Sequence, residues 1–164
     1  VRLPFTGARM PKKLALIATQ GTLDMAYPPF ILASTAAALD YEVQIFFTFY
    51  GLQLLRRDLS DVKISPLGNP AMPMPVTMPV LARTLPGMET MATAMMRQRL
   101  RDKGVAPREE LRALCLEAGV KFVACQMTVD LFDFRLEDFI PEIELGGAAS
   151  FLEFAGDADV SLLV

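Results

Sequence analysis

Short continuous apolar runs alternate along the chain with stretches whose apolar residues return every three or four positions. "LALIAT" (Leu14–Thr19), closed by Gly21, is a run of the first kind and reads as a strand buried on both faces. Pro28 and Pro29 open a helix that runs to about Leu39, proline being well tolerated in a first turn. "VQIFFTF" (Val43–Phe49), β-branched and aromatic, is a second strand ended by Gly51, and "LQLLRR" after it is a short helix. "VKIS" (Val62–Ser65) reads as a weaker third strand near a sheet edge. From Pro86 a stripe of Met88, Met91, Ala92 and Met95, extended by Met96 and Leu100, predicts a helix that stops at Gly104. Pro107 starts the next helix. Glu109 and Glu110 suit its first turn, Leu111, Leu114, Cys115 and Ala118 form its apolar face, and Gly119 stops it. "KFVAC" (Lys121–Cys125) is the fourth strand. A short helical piece near Arg135–Ile140 ends at Pro141, and a helix over Gly147–Ala155 leads to the last strand, "VSLLV" (Val160–Val164).

Strands separated by helices imply parallel pairing with right-handed crossovers. The pattern predicts a flavodoxin-like, doubly wound α/β domain: a mainly parallel five-stranded sheet with helices on both faces. At 164 residues the chain is long enough for one such domain, and no internal repeat or second domain is visible. Residues 12–164 form the domain; residues 1–11 read as an N-terminal arm, of which residues 1–9 are a loose arm or a remnant ahead of a start at Met10. Hydrophobic residues make up 52% and mean hydropathy is +0.35, against roughly 45–50% apolar in ordinary soluble domains. A sheet covered on both faces and a homo-oligomer interface account for the excess. No run of about 18 apolar residues is present, so a spanning helix is not expected, and residues 1–13 lack the apolar core of a secretion signal.

Charge and residue types narrow the chemistry. The net charge of −3 gives no general reason to bind nucleic acid. With no histidine in the chain, Ser-His-Asp and Cys-His catalysis and most zinc sites are removed, and no metal or cofactor is expected. Two cysteines without a secretion signal read as free thiols in a reducing compartment, the cytoplasm.

The stretch "KFVACQMTVDLF" places Cys125 at the carboxyl end of a strand, where such sheets bind ligands. Gln126, Thr128 and Asp130 make the chain polar at once, and a turn or helix start there points backbone N–H groups at the sulfur, which favours the thiolate. Cys125 is therefore either a small buried hydrophobe or the reactive thiol. Lys121 shares its strand face but lies far along it. Cys115, among leucines, reads as core, with a resolving thiol as the alternative. The turn "TQGTLD" supplies Thr19, Gln20 and Gly21, which with Gln126 are candidate pocket residues; the same turn reads equally as a polar helix cap. Residues 66–96 hold six of the twelve prolines and seven of the ten methionines. That segment is either core and subunit contact or an adaptable lid, docking or membrane-contact surface. Arg97, Arg99, Arg101 and Lys103 form a charged helix end, solvated or available to an acidic partner.

Taken in order, "KLALIATQGTLD", "GNPAMPMP", "LPGMETMATAMM", "KFVACQMTVDLF", "EDFIPEIELGGAASFLEFA" and "ADVSLLV" resemble the DsrE/DsrF/DsrH-like proteins, specifically the DsrE-like subgroup. The likeness runs from about Lys12 to Val164. The resemblance implies a flavodoxin-like fold, homo-oligomers and sulfur trafficking, with sulfane sulfur carried on a cysteine and passed to TusA-like carrier proteins. It assigns to Cys125 the acceptance of sulfane or thiosulfonate sulfur and gives Cys115 an auxiliary role. The peroxiredoxin label borne by some relatives has no support here, because no peroxidatic-cysteine motif is present. The same chemistry serves a catalytic sulfurtransferase and a stoichiometric carrier. Two other classes stay open: a dithiol redox protein using Cys115 and Cys125, and a non-catalytic oligomeric binding module in which both thiols are inert.

Overall fold

The computed structural model describes residues 11–64 and 87–164. Its sheet has five strands, all parallel: β1 (Lys13–Ala18), β2 (Glu42–Phe47), β3 (Lys121–Cys125), β4 (Ile143–Gly146) and β5 (Val160–Leu163), in the order β4-β3-β2-β1-β5. The helices are α1 (Tyr27–Ala38), α2 (Met88–Asp102), α3 (Arg108–Glu117), α4 (Gln126–Leu131) and α5 (Ala148–Gly156). Four strands are laid down in one direction from β1 to β4. The chain then returns through α5, over the opposite face, to pair β5 with β1. No helix among the described residues is long and apolar enough to cross a membrane.

Alternation along the strands sorts side chains onto two cores. Leu14, Leu16, Val43, Ile45, Phe47, Phe122 and Ala124 point to the side covered by α1 and α3. There Phe30 of α1 meets Phe47 and Phe122 with ring centroids 6.3 and 6.0 Å away, and the two strand rings lie 5.3 Å apart. Each such side chain contributes roughly 1.5–3 kcal/mol on burial. The opposite face is thinner. Ala15, Phe46, Val123 and Cys125 pack there under Phe151 of α5. Cys115 lies in the first core and Cys125 in the second.

The strand expected at Val62–Ser65 is corrected: among its described residues none is strand. Val62 and Ile64 are buried as their pattern implies. Their neighbourhood's backbone bonds, however, go to other partners: Lys63 O accepts from Leu23 N at 2.9 Å, and Ile64 N donates to the Thr93 hydroxyl at 3.1 Å. The fifth strand is β4, an edge strand whose Glu144 and Leu145 are exposed, so it lacks the apolar signature of the inner strands. "LQLLRR" falls in a 3-10 turn, Phe49–Leu55, and the Arg135–Ile140 piece is a single 3-10 turn, Leu136–Asp138. The proline-rich part of the Met/Pro segment, residues 65–86, lies outside the described residues; its C-terminal part is α2.

The Phe49–Leu55 turn covers the carboxyl edge of the sheet and is fixed from both sides. Gly51 sits so close to β1 that a Cβ there would meet Ala18 O at 2.2 Å. On the other side Arg112 of α3, itself buried, donates to Leu54 O at 2.9 Å and Arg56 O at 2.6 Å. Arg108 donates to Leu59 O. These guanidiniums satisfy carbonyls that the short turn cannot pair itself.

Candidate functional site

Register decides what surrounds Cys125. Phe47 pairs with Ala124, so Thr48 and Cys125 stand side by side one step beyond. Cys125 pairs with Gly146 on its other side. The cysteine is also the N-cap of α4, with φ −65° and ψ 111°. An N-cap side chain faces the free amides of the first turn, here those of Met127 and Thr128.

Cys125 is 5% exposed, and burial alone would push its thiol up. The hydroxyl and amide of Thr128, the hydroxyl of Thr48 and the amide of Met127 oppose this and hold it below the ordinary 9.0. Neither amide makes a formed cap hydrogen bond to the neutral thiol; their dipoles favour the anion. Thr128 is the organiser. It is wholly buried, and its Oγ1 lies 3.2 Å from the Thr48 Oγ1 and accepts from the Phe49 amide at 3.3 Å. The Phe49 amide donates into it, and the hydroxyl's own proton has two acceptors in reach, the Thr48 Oγ1 and the sulfur. Phe49 reaches this position at φ +48°, a strained conformation for a bulky residue. No charged group is among the causes of the shift; Lys121 is paired with Glu144 at 2.9 Å.

The other candidate residues lie elsewhere. Thr19 extends β1, two strand spacings or roughly 10 Å from β3, with β2 and Thr48 between them. Its amide donates to Val164 O at 3.2 Å and its carbonyl accepts from Gly51 N at 3.1 Å. Gln20 is exposed. Gly21 packs against Tyr50 O and lines a pocket with Gln53, Asp61, Val62, Lys63 and Glu89. Gln126 is exposed, and its amide donates along α4 to Asp130 at 2.7 Å. None of the four is among the groups that shift the Cys125 thiol. Cys115 is fully buried, donates to Phe30 O at 3.3 Å and is pushed up to about 12 by burial. It and Cys125 are both free and face different cores.

The residues that do surround the sulfur carried a signal. Thr128 is three positions after Cys125, the spacing at which a third helical residue reaches back to its N-cap. Read only as polarity, it gives no donor. Thr48 is visible only once β2 and β3 are known to be neighbours in this register.

Fold and site together define an α/β domain that carries a thiol, poised towards the thiolate, at the carboxyl end of a central strand. The chain belongs to the DsrE/DsrF/DrsH-like family, whose model matches residues 10–163. It is 62% identical over 157 residues to the sulfur carrier protein DsrE2 of Allochromatium vinosum, covering 93% of this chain and 98% of that one. It is 30% identical over 157 residues to the uncharacterized protein YrkE of Bacillus subtilis, covering 93% and 97%. Among solved structures, the ychN protein from E. coli superposes with a TM-score of 0.55 at 9% identity, over 93% of this chain and 99% of that one, a likeness of fold.

Proposed function

We propose that the protein is a sulfur carrier that holds sulfane sulfur on Cys125 and hands it to a thiol acceptor. The observation that carries this reading is the placement of Cys125 as N-cap of α4 beside Thr48 and Thr128, which lowers its pKa in a chain that has no histidine. Family membership and the sulfur carrier DsrE2 among its relatives support it.

In the loading step the Cys125 thiolate attacks the outer sulfur of a persulfide, polysulfide or thiosulfate donor. A new S–S bond forms, the donor's S–S bond breaks, and its inner sulfur group leaves as thiolate or sulfite. In the delivery step an acceptor thiolate attacks the outer sulfur of the Cys125 persulfide and Cys125 leaves as thiolate. The donors that favour the anion before loading also make Cys125 a good leaving group. No net oxidant or reductant is needed. The acceptor is a small thiol protein of the TusA-like kind, in line with family membership, and a cytoplasmic setting suits two free thiols. Homo-oligomers fit α1, which carries no charge over Tyr27–Ala38 yet exposes Ile31 and Leu32.

Intact-protein mass spectrometry after exposure to polysulfide or tetrathionate tests the reading, with Cys125→Ser and Cys115→Ser alongside. A reductant-sensitive adduct lost only in Cys125→Ser is expected. An intramolecular disulfide needing both cysteines would replace the carrier with the dithiol redox reading. An unmodified wild type would leave Cys125 as packing.

A further inference from the structure

At 5% exposure the Cys125 sulfur does not protrude, so an acceptor thiol must be brought to it across its surroundings. Those surroundings are apolar and, among the described residues, uncovered. Tyr50 and Met127 are 65% and 64% exposed, and Phe49, Leu131 and Phe132 are exposed as well. The surface is ordered by ring contacts: Tyr50 stacks on Phe132 at 6.0 Å and Phe49 meets the same ring edge-on at 6.4 Å. It is joined to the reactive centre through backbone, since the Phe49 amide donates to Thr128 and the Met127 amide faces the sulfur. Met127 and Leu131, four apart on α4, share a helix face. The charges in this segment have one sign. From Gln126 to Phe134 there are two acids, Asp130 and Asp133, and no base. The next cations are engaged: Arg135 by Glu137 and Asp138 at 2.8 Å each, and Arg56 over the Phe134 ring at 5.4 Å.

We propose that this aromatic surface is the docking face for a partner protein that presents its acceptor thiol on an apolar tip with a basic rim. Charge selects this occupant over a second copy of the chain. Two copies meeting here would bring Asp130 and Asp133 towards their own kind, whereas uncharged α1 offers a face without that cost. Tyr50, exposed and stacked on Phe132, is of the residue type that dominates interface energetics.

The proposal rests on the carrier reading, and its test is chosen to fail separately. Two synthetic peptides of equal length, each with one cysteine activated as its thionitrobenzoate disulfide, are offered to the native chain; one flanks the cysteine with leucine and lysine, the other with serine and glutamate. The Cys125 thiolate attacks the peptide sulfur, the S–S bond to thionitrobenzoate breaks, and the coloured thiolate leaves. Cys125→Ser serves as blank, and each rate is divided by that of a small neutral activated disulfide. The Leu/Lys peptide is expected to react about ten-fold faster than the Ser/Glu peptide, with the advantage shrinking as salt rises. Tyr50→Ala and the pair Asp130→Asn/Asp133→Asn are each expected to reduce that ratio at least three-fold. Equal rates for the two peptides, or a ratio untouched by both variants, would overturn the docking face while leaving sulfur loading to stand or fall on its own measurement.

Discussion

The Phe49 amide donates to the Thr128 hydroxyl across 3.3 Å, and this contact turns a side chain one helical turn from Cys125 into part of its thiol chemistry. The hydroxyl accepts from the backbone and is among the groups that favour the Cys125 thiolate. Replacing it should therefore act on the thiolate more than on the fold. In Thr128→Val the pH midpoint for alkylation of Cys125 should move up from below 9.0. Reactivity at neutral pH should fall about ten-fold for each pH unit of that movement. Thr128→Ser should restore most of it. Iodoacetamide rates followed against pH read this out, and an unmoved midpoint in Thr128→Val would remove Thr128 from the site.

Phe49 adopts φ +48° to make that contact. The left-handed region costs a residue with a Cβ roughly 1–2 kcal/mol, and glycine escapes that cost. Phe49→Gly should therefore be more stable than Phe49→Ala by about 1 kcal/mol, although both lose the same ring. Urea unfolding of the two variants decides it; equal midpoints would mean that the strain is absent.

Arg112 holds the other end of the same turn. Arg112→Leu removes the donor to Leu54 O and Arg56 O and leaves carbonyls unpaired. The expected loss is about 2 kcal/mol of stability, together with slower alkylation of Cys125 as the Phe49–Leu55 turn loosens. A variant as stable as the wild type would show that water replaces the guanidinium at no cost.

Cys115 should respond to pH in the opposite sense to Cys125. Pushed up to about 12 by burial, it keeps its proton in the folded chain where an unfolded chain releases it. The stability this confers is complete below the ordinary thiol value of 9.0 and is lost as pH climbs from there towards 12. Over that window the wild type should lose stability more steeply than Cys115→Ala. At neutral pH Cys115→Ala should cost about 1 kcal/mol and leave Cys125 reactivity intact. Parallel pH profiles would contradict the burial argument.

Much of this architecture was legible in the residues. Inner strands show as nearly continuous apolar runs because they are covered on both faces, and "LALIAT", "VQIFF" and "KFVAC" lie where that pattern puts them. The edge strand Ile143–Gly146 escaped because solvent on an edge permits Glu144. Val62 and Ile64 misled for the converse reason: burial made them look like strand while their backbone bonds went to a loop and a helix side chain. At the site, a cysteine at a strand end followed by a helix start was readable locally. Its company was not. Thr19 and Gly21 share the sheet edge with Cys125, but β2 lies between them, and only strand order shows that Thr48 takes the adjacent place.

The central claim is that Cys125 alone holds releasable sulfane sulfur, and cyanolysis measures this most directly. After incubation with polysulfide and removal of excess donor, cyanide strips sulfane sulfur as thiocyanate, counted per chain. The wild type and Cys115→Ser should each yield one thiocyanate per chain and Cys125→Ser none, with Thr128→Val loading more slowly to the same end point. Thiocyanate from Cys125→Ser at the wild-type level, or none from the wild type, would contradict the account.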